Sequence, residues 1–140
     1  MDILKQYLDT GIFGILALMS FLVIWFAIER WLYYRGVSLS GITHADDLYV
    51  RLTKNLTIIS TVGSNAPYIG LLGTVLGIMI TFYDIGQVGE INPNIIMVGL
   101  ALALKATAAG LVVAIPAIIF YNGLLRKVDV LTARWKQLQT

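Results

Sequence analysis

Residues 99–111 read GLALALKATAAGL, and the reading of this stretch decides the fold. Its leucines, alanines and glycines suit a helix in lipid, yet Lys105 is the only charge between Glu90 and Arg126. If a span begins near Ile95, ten residues at about 1.5 Å each put Lys105 roughly 15 Å deep. That is near the middle of a hydrocarbon core about 30 Å thick. A lysine close to a helix end snorkels to water, but one at mid-depth has neither surface within easy reach. Ionisable residues at such depth face a bundle interior or a wet cavity and often mark an ion path. The alternative is a lysine paired for structure alone, and no span of this chain offers an acid to pair with it.

The composition points the same way. Of 140 residues, 58% are hydrophobic and 13% charged, and the mean hydropathy is +0.81. Soluble domains average about 25% charged residues, so the chain belongs to the membrane class. The absence of cysteine excludes a disulfide framework and a thiol site, and the single histidine, His44, has neither a cysteine partner nor a cluster of acids around it, so no metal site is expected. The opening MDILKQYLDT carries two acids and one lysine, the reverse of a basic signal-peptide start, so the apolar run after it reads as a retained span.

Three apolar segments predict an all-α membrane protein with three transmembrane helices, at about 11–28, 67–83 and 95–116. Trp25, Trp31, Tyr33 and Tyr34 gather at the far end of the first like an interfacial belt. The polar NLTIISTVGSN before Pro67 reads as a helical extension into water, and the third helix is expected to continue past Pro116. Arg30, Arg35, Arg51 and Lys54 place the region of about 29–64 in the cytoplasm. Arg126, Lys127, Arg134 and Lys136 place the tail of about 122–140 there too, whereas the 84–94 loop has Asp84 and Glu90 but no cation and faces out. The amino terminus is then periplasmic and the carboxyl terminus cytoplasmic. In the tail, Leu124, Val128, Leu131, Trp135 and Leu138 form one helical stripe, suited either to lying on lipid or to bundling with copies of itself.

Small residues mark close helix contacts. Gly70, Gly73 and Gly77 cluster on the second span, and Gly99, Ala103, Ala106 and Gly110 answer on the third. Such spacing lets backbones approach where lipid supplies no hydrophobic drive, within one subunit or between subunits. Thr74 lies among these glycines and Thr107 two residues after Lys105. Each can simply bond its own preceding turn; facing a common cavity, they would offer hydroxyls to water or a proton carrier. No nucleophile–histidine–acid set, phosphate loop or metal spacing is present, so neither an enzyme nor a nucleic-acid partner is expected.

APYIGLLGTVLGIM (Ala66–Met79), KATAAGLVVAIPAIIFYN (Lys105–Asn122) and, less specifically, the IER of Ile28–Arg30 resemble the ExbB/TolQ/MotA family of proton-channel stator subunits, most closely its ExbB branch. The resemblance implies a pentamer in the bacterial inner membrane around the single spans of a dimeric ExbD-like partner. The partner's membrane aspartate would carry protons, the coupling ion, with no cofactor. The resulting movement would pass to a TonB-type protein for outer-membrane uptake of iron carriers or vitamin B12. The family's pore threonines match Thr74 and Thr107. Two departures stand out. Leu102 occupies a position where ExbB and TolQ relatives commonly carry glutamate, and the region between spans one and two is short, which disfavours a flagellar-stator role. A TolQ-like energiser of envelope constriction and a passive scaffold without a proton path are the rival readings. Lys105 is expected in the ring's interior or at a subunit interface, touching something outside its own chain.

Overall fold

A computed structural model describes residues 2–140. It contains four helices: α1 (Asp2–Gly36), α2 (Ala45–Leu52), α3 (Leu56–Val88) and α4 (Pro93–Gln139). No strand occurs among the described residues. Helices α1, α3 and α4 are each long and apolar enough to cross a membrane. At 47 residues α4 reaches about 70 Å, more than twice the hydrocarbon thickness, so it must project well beyond it. The polar start of α3 is continuous with its apolar part, as expected for a helical extension, and α1 likewise runs on past both ends of the 11–28 segment.

Local chemistry sets the helix boundaries. Asn55 takes a left-handed conformation (φ 69°) between α2 and α3, a backbone state that asparagine tolerates better than most residues. Gly89 (φ 77°) ends α3, and its N–H donates to the Ile85 carbonyl at 3.1 Å. Asn92 caps α4 by accepting from the Asn94 N–H at 3.0 Å, with Pro93 at the first helical position, where its missing donor costs nothing. Pro67 and Pro116 lie inside helices, a placement that membrane helices accommodate.

Helices α3 and α4 form an antiparallel hairpin packed along small residues, and α1 lies against both. Gly63, Ala66, Gly70, Gly73 and Gly77 are buried on α3, as are Gly99, Ala103, Ala106, Gly110, Ala114 and Ala117 on α4. Outside this seam, large apolar side chains such as Phe21, Trp25, Val75, Met79, Val112 and Ile119 stand exposed. A water-soluble monomer rarely carries so much exposed apolar surface, whereas lipid and neighbouring membrane helices would cover it.

The base of the bundle corrects the reading of the tail. Leu124, Val128, Leu131 and Trp135 are buried in one cluster with Ile42, Leu48 and Leu52. The Trp135 indole N–H donates to the Ile42 carbonyl at 3.0 Å. The stripe is therefore consumed within the chain, by the connection after α1 and by α2, rather than by lipid or copies of itself; of its five residues only Leu138 is exposed. The short α2, with Asp46 and Asp47 in its first turn and an Asp47–Arg51 ion pair one turn apart, supplies the apolar cover.

Candidate functional site

The α3–α4 seam positions the two threonines. Gly70 and Gly110 face each other: a Cβ on Gly70 would sit 2.5 Å from the Ala106 carbonyl oxygen, and one on Gly110 2.6 Å from that of Ala66. Gly73 takes the Ala106 methyl at 2.8 Å and Ile12 of α1 at 3.1 Å from its would-be Cβ, and Gly77 meets the Ala103 methyl at 3.0 Å. The glycines thus bring the backbones of one chain together. With no side chain between them, Thr74 reaches across.

Thr74 is buried, and its hydroxyl lies 2.9 Å from the Ala103 carbonyl oxygen of α4 and 3.3 Å from the Gly70 carbonyl oxygen of its own preceding turn. It also hydrogen-bonds the Thr107 hydroxyl. Thr74 has one proton to give. With that proton on the Ala103 oxygen, the better placed of the two carbonyls, Thr107 donates to Thr74 and keeps its own lone pairs free. Thr107 is half-buried, so those lone pairs are the part of the pair that an outside group can reach. The chain of hydrogen bonds stops at a backbone carbonyl, which cannot pass a proton on. The pair therefore offers a fixed acceptor, suited to receiving a hydrogen bond from a protonated acid or water, rather than a through-going proton wire.

Lys105 stands apart. It is exposed and makes no hydrogen bond or ion pair among the described residues. Two residues before Thr107 on a helix is nearly the opposite face. The two are neighbours in sequence and not in space. Leu102, one turn earlier, is also exposed. Thr81, which sequence reasoning did not single out, is buried seven residues beyond Thr74 on the same face of α3. It bonds the Gly77 carbonyl at 3.0 Å and packs on Gly99, and its heptad spacing from Thr74 was the available signal.

A second polar cluster, at the end of α1, was also missed. Arg30 is 2% exposed. Its guanidinium donates to both Glu29 carboxylate oxygens at 2.6 and 2.5 Å and to the Arg51 carbonyl at 2.8 Å. It stacks on Tyr33 at 4.3 Å, while the Tyr34 hydroxyl donates to the Leu52 carbonyl. The hydrogen bonds from Arg30 hold the Glu29 carboxyl below its ordinary value, and burial pushes Tyr34 up to about 12. This cluster ties α1 to the α2–α3 turn through backbone carbonyls; it is a structural clasp.

Against known proteins, residues 42–137 match the family described as the MotA/TolQ/ExbB proton channel family. Over its whole length the chain is 54% identical to the biopolymer transport protein ExbB of Helicobacter pylori strain J99, covering 97% of that protein. It is 52% identical over 138 residues to the ExbB of Aquifex aeolicus, covering 93% of it. The match to the ExbB of Pseudomonas putida, 46% identical over 77 residues, covers 55% of this chain and only 23% of that much longer relative.

Proposed function

Because the chain belongs to the MotA/TolQ/ExbB proton channel family, we propose that it is an ExbB-like ring subunit of a proton-driven motor in a bacterial inner membrane. Five copies would surround the single spans of an ExbD-like partner and pass movement to a TonB-type protein, energising outer-membrane uptake of iron carriers or vitamin B12. The amino terminus would lie in the periplasm and the carboxyl tail in the cytoplasm, as the distribution of Lys and Arg suggests.

The observation that carries this reading is the Thr74–Thr107 pair, with its free acceptor at Thr107. The three apolar segments hold no carboxylate, and Lys105 is their only charge. The group that gains and loses a proton must then come from a partner. A protonated partner acid would donate to Thr107 and be held at the seam; on losing its proton it would lose that hydrogen bond. The threonines thus discriminate between the two protonation states. Lys105, on nearly the opposite face of α4, would not reach an acid held at Thr107 of its own subunit. It would act on one that meets that other face of α4, where a cation favours the charged form and so assists release.

The test is Thr74→Val with Thr107→Val, which keeps the shape and removes both hydroxyls. The oligomer should form and bind its partner while energised uptake falls. Uptake at the level of the unaltered protein would rule out the role given to the pair.

A further inference from the structure

Between α1 and α4 runs an open groove of about 830 Å³ on which the proton site makes no claim. Its walls are apolar: Ile24 and Ile28 from α1, Ile119 and Phe120 from α4, all exposed. One end is different. There Arg35, in the last turn of α1 and stacked on Trp31 at 4.8 Å, shares the groove with Lys127 of α4. The ion pairs among the described residues are Glu29–Arg30 and Asp47–Arg51, so neither cation has a carboxylate partner. Lys127 is half-buried all the same.

We infer that this groove binds an anionic phospholipid, its phosphate between Arg35 and Lys127 and an acyl chain lying along Ile28 and Ile24. From Ile28, at the end of the first apolar segment, to Arg35 the helix rises roughly 10 Å, which sets the cations past the hydrocarbon at headgroup level while Ile28 and Ile24 face the acyl region. The charged end carries Trp31 and Tyr34 beside the cations, the arrangement found where a span meets the headgroups. Basic pockets between membrane helices on the cytoplasmic side recognise anionic headgroups, and the cations here match that charge. Only the choice of leaflet rests on the orientation proposed above. Lipid retention needs no proton flow, so the two readings can fail separately.

Gly123 supplies a second handle. It lies in the groove wall, and a Cβ there would meet no atom within 4 Å. Leucine at this position therefore fills the groove without straining the fold. The full-length oligomer is reconstituted in vesicles of equal phosphatidylglycerol and phosphatidylcholine and re-extracted, and its retained lipid is counted by native mass spectrometry. Phosphatidylglycerol should be enriched roughly 25-fold, at roughly fivefold for each of the two cations. Arg35→Gln with Lys127→Gln should bring the ratio close to that of the vesicles, and Gly123→Leu should reduce total retained lipid with the oligomer intact. Equal retention of both lipids by the unaltered protein, or an undiminished preference in the double glutamine variant, overturns the inference. So does an unaltered oligomer that retains no lipid and falls apart on Gly123→Leu, which would put a neighbouring copy in the groove.

Discussion

Gly70 and Gly110 oppose each other so closely that a methyl group on either would lie within 2.6 Å of a carbonyl oxygen on the other helix. The obstacle is backbone, which cannot rotate away as a side chain can. Lipid supplies no hydrophobic force to re-close helices once they separate.

Gly70→Ala and Gly110→Ala should therefore each destabilise the chain itself, by about 1–3 kcal/mol, as overpacking does. Gly86→Ala is the matched control, since nothing lies within 4 Å of its would-be Cβ. Thermal unfolding in detergent should separate the seam variants from this control. Equal melting of all three would mean that the hairpin contact is looser than described.

Lys105→Leu should leave assembly intact, because the lysine bonds nothing in its own chain among the described residues. Energised uptake should fall and its pH dependence should shift, since a partner acid meeting the exposed Lys105 face of α4 would lose a cation that favours its charged form. A variant that assembles and drives uptake normally across a range of pH would make Lys105 a passenger.

The Glu29–Arg30 clasp carries its own pH signature. Glu29 titrates below its ordinary value of 4.5 in the folded chain, chiefly through its hydrogen bonds to Arg30. A depressed carboxyl contributes stability above the ordinary value and loses it as pH falls through the lower, folded one. Unaltered protein should thus melt above Glu29→Gln near neutral pH, with the gap closing below about pH 4.5. A gap that stays constant on acidification would show that the charge of Glu29 contributes nothing.

Trp135→Phe keeps most of the buried ring and removes the N–H that serves the Ile42 carbonyl. A cost of about 1–2 kcal/mol is expected, with faster amide exchange in residues 37–44 as the readout. Unchanged exchange there would mean that the tail does not hold this connection.

The three long helices were legible because each carries an apolar segment of bilayer length, interrupted by a charge only at Lys105 in the third. The small-residue seam was legible because its 3–4 spacing survives as a pattern in one dimension. The tail stripe was visible too, but its partner was not. Ile42, Leu48 and Leu52 lie some eighty residues away, and the eight-residue α2 is too short for its Leu48–Leu52 stripe to say which helix it meets. Arg30 illustrates the same limit. Its charge at the end of an apolar run looks like an interfacial anchor, and what receives it is the carbonyl of Arg51, as the carbonyl of Leu52 receives Tyr34, groups that every residue possesses and no sequence advertises. Lys105 and Thr107 show the converse, since adjacency in sequence placed them together and helical geometry sends them to nearly opposite faces.

The most direct measurement is proton flux into vesicles holding this chain together with the single-span protein that co-purifies with it. Unaltered protein should admit protons when a potential is applied, and Thr74→Val with Thr107→Val should assemble equally well and admit few. Flux through the double valine variant equal to that of the unaltered complex would contradict the proposal that the hydroxyl pair at the α3–α4 seam serves proton transfer.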